Sequence, residues 1–252
     1  MREPAVAGTF YPNNPQALEK TIGNYLSKAE SLDVKSAIVP HAGYIFSGSV
    51  AGSVFSILPE ADTYVIIGPN HSFPSVSVSD ETWRTPLGEV TVNTDIVNRL
   101  NLEVNNNAHK MEHSVEVQIP FLQYKFDNFE IVPICMGLQG TDAIRAVSRA
   151  LKNVAHENIM VIASSDFTHY EPDSVARDVD KRAIEPIKAL NVAEFLERAK
   201  GTSICGVGPI AVALEYAKVK SANQGELLKY ATSGDISGDL RAVVGYAGIV
   251  LI

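Results

Sequence analysis

Three histidines, His41, His71 and His169, each stand a few residues beyond a short apolar run, and their positions predict a metal site. The three runs, each typical of a buried strand, are 37–39, 64–67 and 160–163. In open α/β sheets, ligands bind beyond the carboxyl ends of the strands, so these histidines are expected to meet at one edge of a sheet. Imidazole suits iron, copper and zinc better than magnesium or calcium.

Cys205 is the candidate third ligand beside His41 and His71. It lies in the glycine-rich stretch 201–208, just before a predicted helix, where the helix dipole is expected to stabilise a thiolate. The separations along the chain are too long for a metal-finger motif, so this prediction rests on position alone. Taken singly, such a cysteine is also typical of a small buried hydrophobe, and such a histidine of a hydrogen-bonded structural residue.

Asp166 and His169 form a second candidate set, suited to proton transfer. A neutral His169 can take or give a proton near neutral pH, and Asp166 can orient an imidazole or act as a ligand itself. Ser164 and Ser165 come just before them, so a Ser/His/Asp hydrolase is an alternative, although the Gly-x-Ser-x-Gly elbow is absent. Ser-Ser-Asp after a strand is also typical of a simple helix cap.

The segment 112–116 supplies the third set, Glu112, His113 and Glu116. If this segment is helical, His109 and His113 share a face at a spacing of four residues. The His-Glu-x-x-His pattern of zinc proteases is not present. A solvated helix face is the alternative interpretation of these charges.

Strands and helices alternate along the chain, which predicts one α/β domain over residues 1–252. The sheet is expected to be mostly parallel, with helices on both faces and a C-terminal antiparallel hairpin of residues 227–232 and 242–251. Near the site we expect a hairpin within 76–88, and further on a loop over 101–108. The predicted helices are 15–29, 47–58 with Ser47 as a cap, 94–100, 112–122, 141–154, 173–189, 192–200 and 209–218.

Composition limits the possible partners and compartment. The chain has 252 residues, 46% of them hydrophobic and 20% charged, and a net charge of −8 without any cluster of lysine and arginine, so no nucleic-acid partner is expected. No apolar run approaches the roughly 20 residues that span a bilayer, so no membrane partner is expected. The two cysteines do not suggest a disulfide framework, which favours the cytoplasm. The expected partner is a small molecule or a peptide.

Seven short motifs, in order along nearly the whole chain, resemble those of one known family. They are Ala-Gly-Thr-Phe-Tyr-Pro (7–12), Pro-His-Ala-Gly-Tyr (40–44), Gly-Pro-Asn-His (68–71), Arg-Thr-Pro-Leu-Gly (84–88), Glu-His-Ser-Val-Glu (112–116), Ser-Ser-Asp-Phe-Thr-His (164–169) and Ile-Cys-Gly (204–206). On these motifs the chain resembles the Memo family (mediator of ErbB2-driven cell motility), also called protein B of the AmmeMemoRadiSam system. That family in turn resembles class III extradiol ring-cleaving dioxygenases in fold.

The resemblance implies roles for particular residues. The related dioxygenases hold non-haem Fe(II) with two histidines and a glutamate, and use a further histidine as acid and base. His41 and His71 match the ligand histidines, and Cys205 matches a cysteine that replaces the glutamate. Asp166 and His169 match a further pair, with His169 as the acid and base. The family's segment at 112–116 lies near the site without an assigned role.

Three functional hypotheses follow. The first is an oxidoreductase with one iron or copper ion, rather than zinc, on a dioxygenase-like site; because a thiolate favours Cu(I) or a redox role, ring cleavage itself does not follow. The second is a binding protein without turnover, whose groove for a peptide or small ligand would be lined by aromatic residues. These aromatic residues are Phe10, Tyr11, Tyr44 and Trp83. The third is the hydrolase that uses the serines before Asp166.

Overall fold

Eight of ten strands form one central sheet in the computed structural model, which describes all 252 residues. In chain order the strands are β1 (Ser36–Val39), β2 (Thr63–Pro69), β3 (Val76–Val78), β4 (Trp83–Thr85), β5 (Gly88–Val90), β6 (Glu130–Met136), β7 (Ile159–Ser164), β8 (His169–Glu171), β9 (Gly225–Thr232) and β10 (Val243–Leu251). Across the sheet the order is β3-β6-β2-β7-β1-β10-β8, and β9 pairs with β10.

The four central strands, β6, β2, β7 and β1, run parallel and end at the same edge. Every residue of β1, β2 and β7 is buried, so both faces of the sheet are covered, as their continuous apolar runs predict. Val39 pairs with Ser164, and Pro69 pairs with Met136, so the loops that follow these strands leave the sheet side by side. The predicted α/β class with a mostly parallel sheet is confirmed.

Ten α-helices and one 3₁₀ turn surround the sheet. The helices are α1 (Pro15–Tyr25), α2 (Tyr44–Phe55), α3 (Thr94–Leu100), α4 (Asn106–His109), α5 (Ile119–Lys125), α6 (Thr141–Val154), α7 (Asp173–Lys188), α8 (Val192–Arg198), α9 (Val207–Val219) and α10 (Gly234–Ser237). One continuous core of 65 buried residues joins them to the sheet. None of the helices is both long enough and apolar enough to cross a membrane.

Several predicted helix limits are wrong. α1 ends at Tyr25, because the chain then extends and the Ser27 amide donates to Ser56 Oγ at 2.8 Å. α2 begins at Tyr44 with Gly43 as its cap, so Ser47 lies inside the helix. Within the predicted loop 101–108, a short helix begins because the Asn105 side chain accepts a hydrogen bond from a backbone amide of the first turn.

The predicted helix 112–122 is also wrong. Residues 112 and 113 are irregular, and 114 and 115 form a turn. The 3₁₀ turn Glu116–Gln118 follows, and α5 begins only at Ile119, with Pro120 in its first turn. Two hydrogen bonds hold the Glu112 carboxylate off the helical path, one from the His71 amide and one from the Ser114 amide.

Two hairpins were predicted, and one of them is confirmed. β9 and β10 form the C-terminal antiparallel hairpin, with α10 in the connection between them. Near the site only β4 and β5 pair as a hairpin, while β3 joins the main sheet beside β6. β3 is therefore an edge strand of the main sheet and not part of the predicted hairpin.

Candidate metal centre

The carboxyl edge of the sheet brings His41, His71 and Cys205 together. One donor atom from each residue, imidazole nitrogen or sulfur, lies within 4.8 Å of those from the other two. Within the cluster, His41 Nε2 lies 3.2 Å from Cys205 Sγ. Residues from three separate parts of the chain thus form one cluster, as the strand-end pattern predicts for His41 and His71.

Two close backbone approaches hold the loops around the cluster in place. A Cβ on Gly206 would lie 2.5 Å from the Ser165 Cβ, so only glycine lets the loop after Cys205 approach β7. A Cβ on Gly68 would lie 2.2 Å from Ser114 Oγ, so the segment 112–114 can lie against the end of β2. Ser114 Oγ then donates to the Pro69 carbonyl at 2.8 Å.

Glu112 orients His71. Its carboxylate accepts from the His71 amide at 2.7 Å, from His71 Nδ1 at 2.9 Å and from the Ser114 amide at 2.9 Å. Burial alone would raise the pKa of Glu112, but these hydrogen bonds outweigh it and lower the pKa to about 2. The hydrogen bond to Glu112 in turn raises the pKa of His71. Because Nδ1–H of His71 is held by the carboxylate, Nε2 is left to bind a metal.

His41 lies deeper and is nearly fully buried. Its Nδ1 is 2.9 Å from Ser164 Oγ, and its backbone amide donates to Asp166 Oδ1 at 2.7 Å. Burial lowers the pKa of His41 well below its usual value, and the neighbouring His113 and His71 act in the same direction. The His41 imidazole is therefore neutral at physiological pH, which is the form that binds metals.

His113 is a third imidazole in the cluster. Its ring lies nearly parallel to that of His71, with centroids 4.7 Å apart, and it contacts Phe10 at 4.8 Å. Its Nδ1 is 3.5 Å from Glu112 Oε1. His71, Glu112 and His113 also qualify as a group that could hold a metal, but His71 Nδ1 is already bonded to Glu112. We therefore interpret His71 as a ligand, with Glu112 and His113 behind it.

Asp166 lies directly beside the candidate ligands. Its backbone amide donates to Cys205 Sγ at 3.2 Å, and its carboxylate accepts from the His41 amide. Burial raises the pKa of Asp166 to about 6, although the backbone amide of His41 acts against this shift. The group can therefore gain or lose a proton close to neutral pH.

His169 begins β8 at the rim of the cluster and is partly exposed. Its backbone amide donates to Ser203 Oγ at 2.7 Å, and its Nδ1 lies 2.9 Å from the Ser203 carbonyl, so Nδ1 carries the hydrogen. Nε2 is then free to exchange a proton. The structure contains no pair between His169 and Ser164 or Ser165.

Glu116 lies outside the cluster, although its sequence motif includes Glu112 and His113. It is fully buried, forms an ion pair with Arg2, and accepts hydrogen bonds from the Ala5 and Val6 amides and from the Tyr11 hydroxyl. It therefore anchors residues 2–11, the segment that places Phe10 against His113.

The expected stabilisation of a Cys205 thiolate by α9 is not observed. Burial raises the pKa of the Cys205 thiol, and the Asp166 carboxylate acts in the same direction. The helix begins only at Val207, and Gly206 caps it. A bound cation is the remaining source of thiolate stabilisation, since a coordinating thiol is deprotonated by the metal.

The aromatic residues expected to line a groove are mostly in the core. Tyr11, Tyr44 and Trp83 are buried, and only Phe10 reaches the cluster. His109 is also buried, with Nδ1 3.4 Å from Cys135 Sγ, so it does not share a face with His113. His156 is exposed on the surface.

Gln118 is the residue that the sequence did not single out. Its Nε2 donates to the Pro40 carbonyl and to Ser164 Oγ, both at 2.9 Å, immediately behind His41. A glutamine within an apolar run carries no pattern that would reveal this role. The contact arises only because the 3₁₀ turn Glu116–Gln118 brings Gln118 to the ends of β1 and β7, which are distant in sequence.

The donor set fits a transition metal. Metal–nitrogen bonds of about 2.0 Å and metal–sulfur bonds of about 2.3 Å place two ligands of one ion roughly 3.0–3.5 Å apart. The 3.2 Å between His41 Nε2 and Cys205 Sγ lies in that range. Two imidazoles and a thiol are soft to borderline ligands, suited to iron, copper or zinc and unsuited to magnesium or calcium.

Comparison with known proteins decides the family. The Memo-like protein family matches residues 2–250. A MEMO1 family protein of Methanosarcina barkeri is 45% identical over 264 residues, covering all of both chains, and one of Archaeoglobus fulgidus is 46% identical over 261 residues, covering 99% of each. The chain belongs to the Memo-like family.

A solved structure shares the fold of this Memo-like chain. The crystal structure of an uncharacterized protein from Escherichia coli K12 superposes with a TM-score of 0.55 and covers 86% of this chain and 99% of its own. The sequence identity is 11%, so the likeness shows the fold alone. Family membership rests on the sequence matches, and the metal cluster rests on the geometry of this chain.

Proposed function

We propose that this Memo-like protein is a metal-dependent oxidoreductase that holds one iron or copper ion on His41, His71 and Cys205. The observation that carries the proposal is the convergence of the three donor atoms within 4.8 Å of one another at the sheet edge. When bound, iron or copper would supply one-electron redox chemistry or oxygen activation. Both cysteines are free, which favours a reducing compartment such as the cytoplasm.

Two residues near the cluster are suited to proton transfer in this proposal. His169 has a free Nε2 and partial contact with solvent, so it can exchange protons with water and act as the acid and base. Asp166, with a pKa of about 6, is hydrogen-bonded to His41 and Cys205 and can take up charge changes at the cluster. Neither role needs either residue to bind the metal.

The two alternative functions have less support. A peptide groove lined by aromatic residues is not supported, because three of the four aromatics are buried. A serine hydrolase is not supported, because Ser164 Oγ donates to the Ser114 carbonyl and Ser165 Oγ donates to the Asp166 carbonyl. Ser164 Oγ also lies 2.9 Å from His41 Nδ1, but its hydrogen goes to the Ser114 carbonyl, so neither hydroxyl is a free nucleophile.

Elemental analysis tests the metal site. Protein without a histidine tag, purified anaerobically, is expected to contain about one iron or copper per chain. His41→Ala and Cys205→Ser are expected to lose it while keeping the native circular dichroism spectrum. His156→Ala is the matched control, because this histidine is exposed and distant from the cluster, and it is expected to retain the metal. Stoichiometric metal in both site variants would overturn the assignment.

Turnover is tested separately on the loaded protein. Oxygen consumption with a panel of catechols and other reductants is expected to depend on the metal and to fall in His169→Ala, which should still contain metal. If the metal-loaded protein neither consumes oxygen nor oxidises a substrate under any of these conditions, the proposed oxidoreductase activity is overturned and a metal-binding role remains.

A further inference from the structure

The hydroxyl of Ser164 has three polar neighbours and only one hydrogen. Ser164 Oγ lies 2.6 Å from the Ser114 carbonyl, 2.9 Å from Gln118 Nε2 and 2.9 Å from His41 Nδ1. The residue ends β7 and is fully buried, so water does not replace any of these partners. The position of the single hydrogen therefore determines what each neighbour must do.

The hydrogen of Ser164 goes to the Ser114 carbonyl, because a carbonyl can only accept. Gln118 cannot take it either, since Nε2 is an amide donor. The orientation of that amide is fixed by a second acceptor, the Pro40 carbonyl at 2.9 Å from the same nitrogen. A flipped amide would place Oε1 against Pro40 O, with two acceptors facing each other. Ser164 Oγ can therefore only accept from His41.

Nδ1 of His41 must then carry the hydrogen. A neutral imidazole has a single N–H, so Nε2 is the bare nitrogen. That nitrogen lies 3.2 Å from Cys205 Sγ, inside the cluster. The other ligand imidazole has the same arrangement by a different route, because the Glu112 carboxylate accepts from Nδ1 of His71.

We propose that Ser164 is a positioning residue that fixes the tautomer of His41 and so presents Nε2 to the metal. Ser114 and Gln118 act through it, the first by taking its hydrogen and the second by occupying its other acceptor site. The inference rests on the proposed metal site. It adds a hydroxyl partner, Ser164, for His41, beside the carboxylate partner, Glu112, of His71. Partners of this kind commonly contribute 10- to 100-fold to metal affinity.

The first test uses the wild-type protein stripped of metal by chelation, so it does not depend on any variant folding. Long-range ¹H–¹⁵N NMR spectra at about pH 8, above the ordinary histidine pKa, distinguish the two imidazole nitrogens of His41. The expected result is hydrogen on Nδ1 of His41. Hydrogen on Nε2 would overturn the proposal.

The second test removes the hydroxyl. Ser164→Ala is expected to weaken Co(II) binding about 10- to 100-fold and to give His41 a mixture of tautomers, while His71 keeps hydrogen on Nδ1. Ser36→Ala is the matched control, since Ser36 is a fully buried serine on β1 that donates only to the Ala213 carbonyl, away from the cluster. Ser164→Thr restores the hydroxyl and is expected to recover the wild-type tautomer.

The outcomes separate this proposal from the function on which it rests. Equal losses of Co(II) affinity in Ser36→Ala and Ser164→Ala, or an unchanged His41 tautomer in Ser164→Ala, would overturn the role of Ser164. Absence of iron and copper from the purified protein, with the expected tautomer in the NMR spectra, would instead overturn the proposed function and leave the role of Ser164 intact.

Discussion

The Glu112 carboxylate lies 2.9 Å from Nδ1 of His71, although the two residues are 41 positions apart. This contact turns Nε2 of His71 toward His41 and Cys205. It also gives the buried Glu112 carboxylate a role, although the sequence pattern alone assigned no role to the segment 112–116. Glu112 acts on the candidate metal through the imidazole that it orients.

Replacing Glu112 with glutamine is expected to weaken metal binding by about 10-fold or more. The amide keeps the shape of the side chain but removes the negative charge that holds Nδ1–H of His71, and its NH₂ group opposes one of the donors that face the carboxylate. Competition titration with a chromophoric chelator measures the change. Glu157→Gln is the control, because this glutamate is at the surface. Equal affinity in the two variants would contradict the role of Glu112.

His113→Phe is expected to retain about one metal per chain. The phenyl ring can keep the stacking on His71, and His113 does not belong to the set His41, His71 and Cys205. Metal analysis beside His71→Phe measures the difference, because the His71 variant is expected to lose metal. If both variants lose metal to the same extent, His113 is a ligand and our interpretation of the cluster is wrong.

Removing one partner of the buried pair Arg2–Glu116 is expected to lower the free energy of unfolding by about 3–5 kcal/mol, since the remaining charge is left buried without a partner. Urea unfolding of Arg2→Met and Glu116→Gln measures this. The exposed pair Arg182–Asp178 provides the control, and Arg182→Met is expected to cost less than about 1 kcal/mol. Similar losses in the buried and exposed pairs would contradict the anchoring role of Glu116.

The stability of the protein is expected to fall on acidification, in part because of His109. Burial lowers its pKa to about 4. The unfolded state, with a pKa near 6.5, therefore binds more protons between these values, and stability is lost as the pH falls through that window. The contribution is on the order of 3 kcal/mol. Unfolding free energies at several pH values should show a flatter profile for His109→Gln, and parallel profiles would contradict this prediction.

Local sequence was sufficient for the central strands, for most of the longer helices and for the residue types of the cluster. Short apolar runs predicted the central strands, and the residues just beyond two of these runs predicted His41 and His71. Helix limits were less accurate where side chains decided them. The segment 112–118 turns because the Glu112 carboxylate bonds to the His71 and Ser114 amides, and no helical periodicity shows such a bond.

The sequence by itself determined a parallel α/β sheet with histidines at its carboxyl edge, because strand propensity and chain breakers act over a few residues. Only the tertiary structure decided the partners of these histidines. Ser164 lies beside His41 across 123 positions, while Glu116, four residues from Glu112, is turned into the core against Arg2. Such contacts depend on how distant segments pack against each other, and neighbouring residues of one motif can therefore serve the metal centre and the core separately.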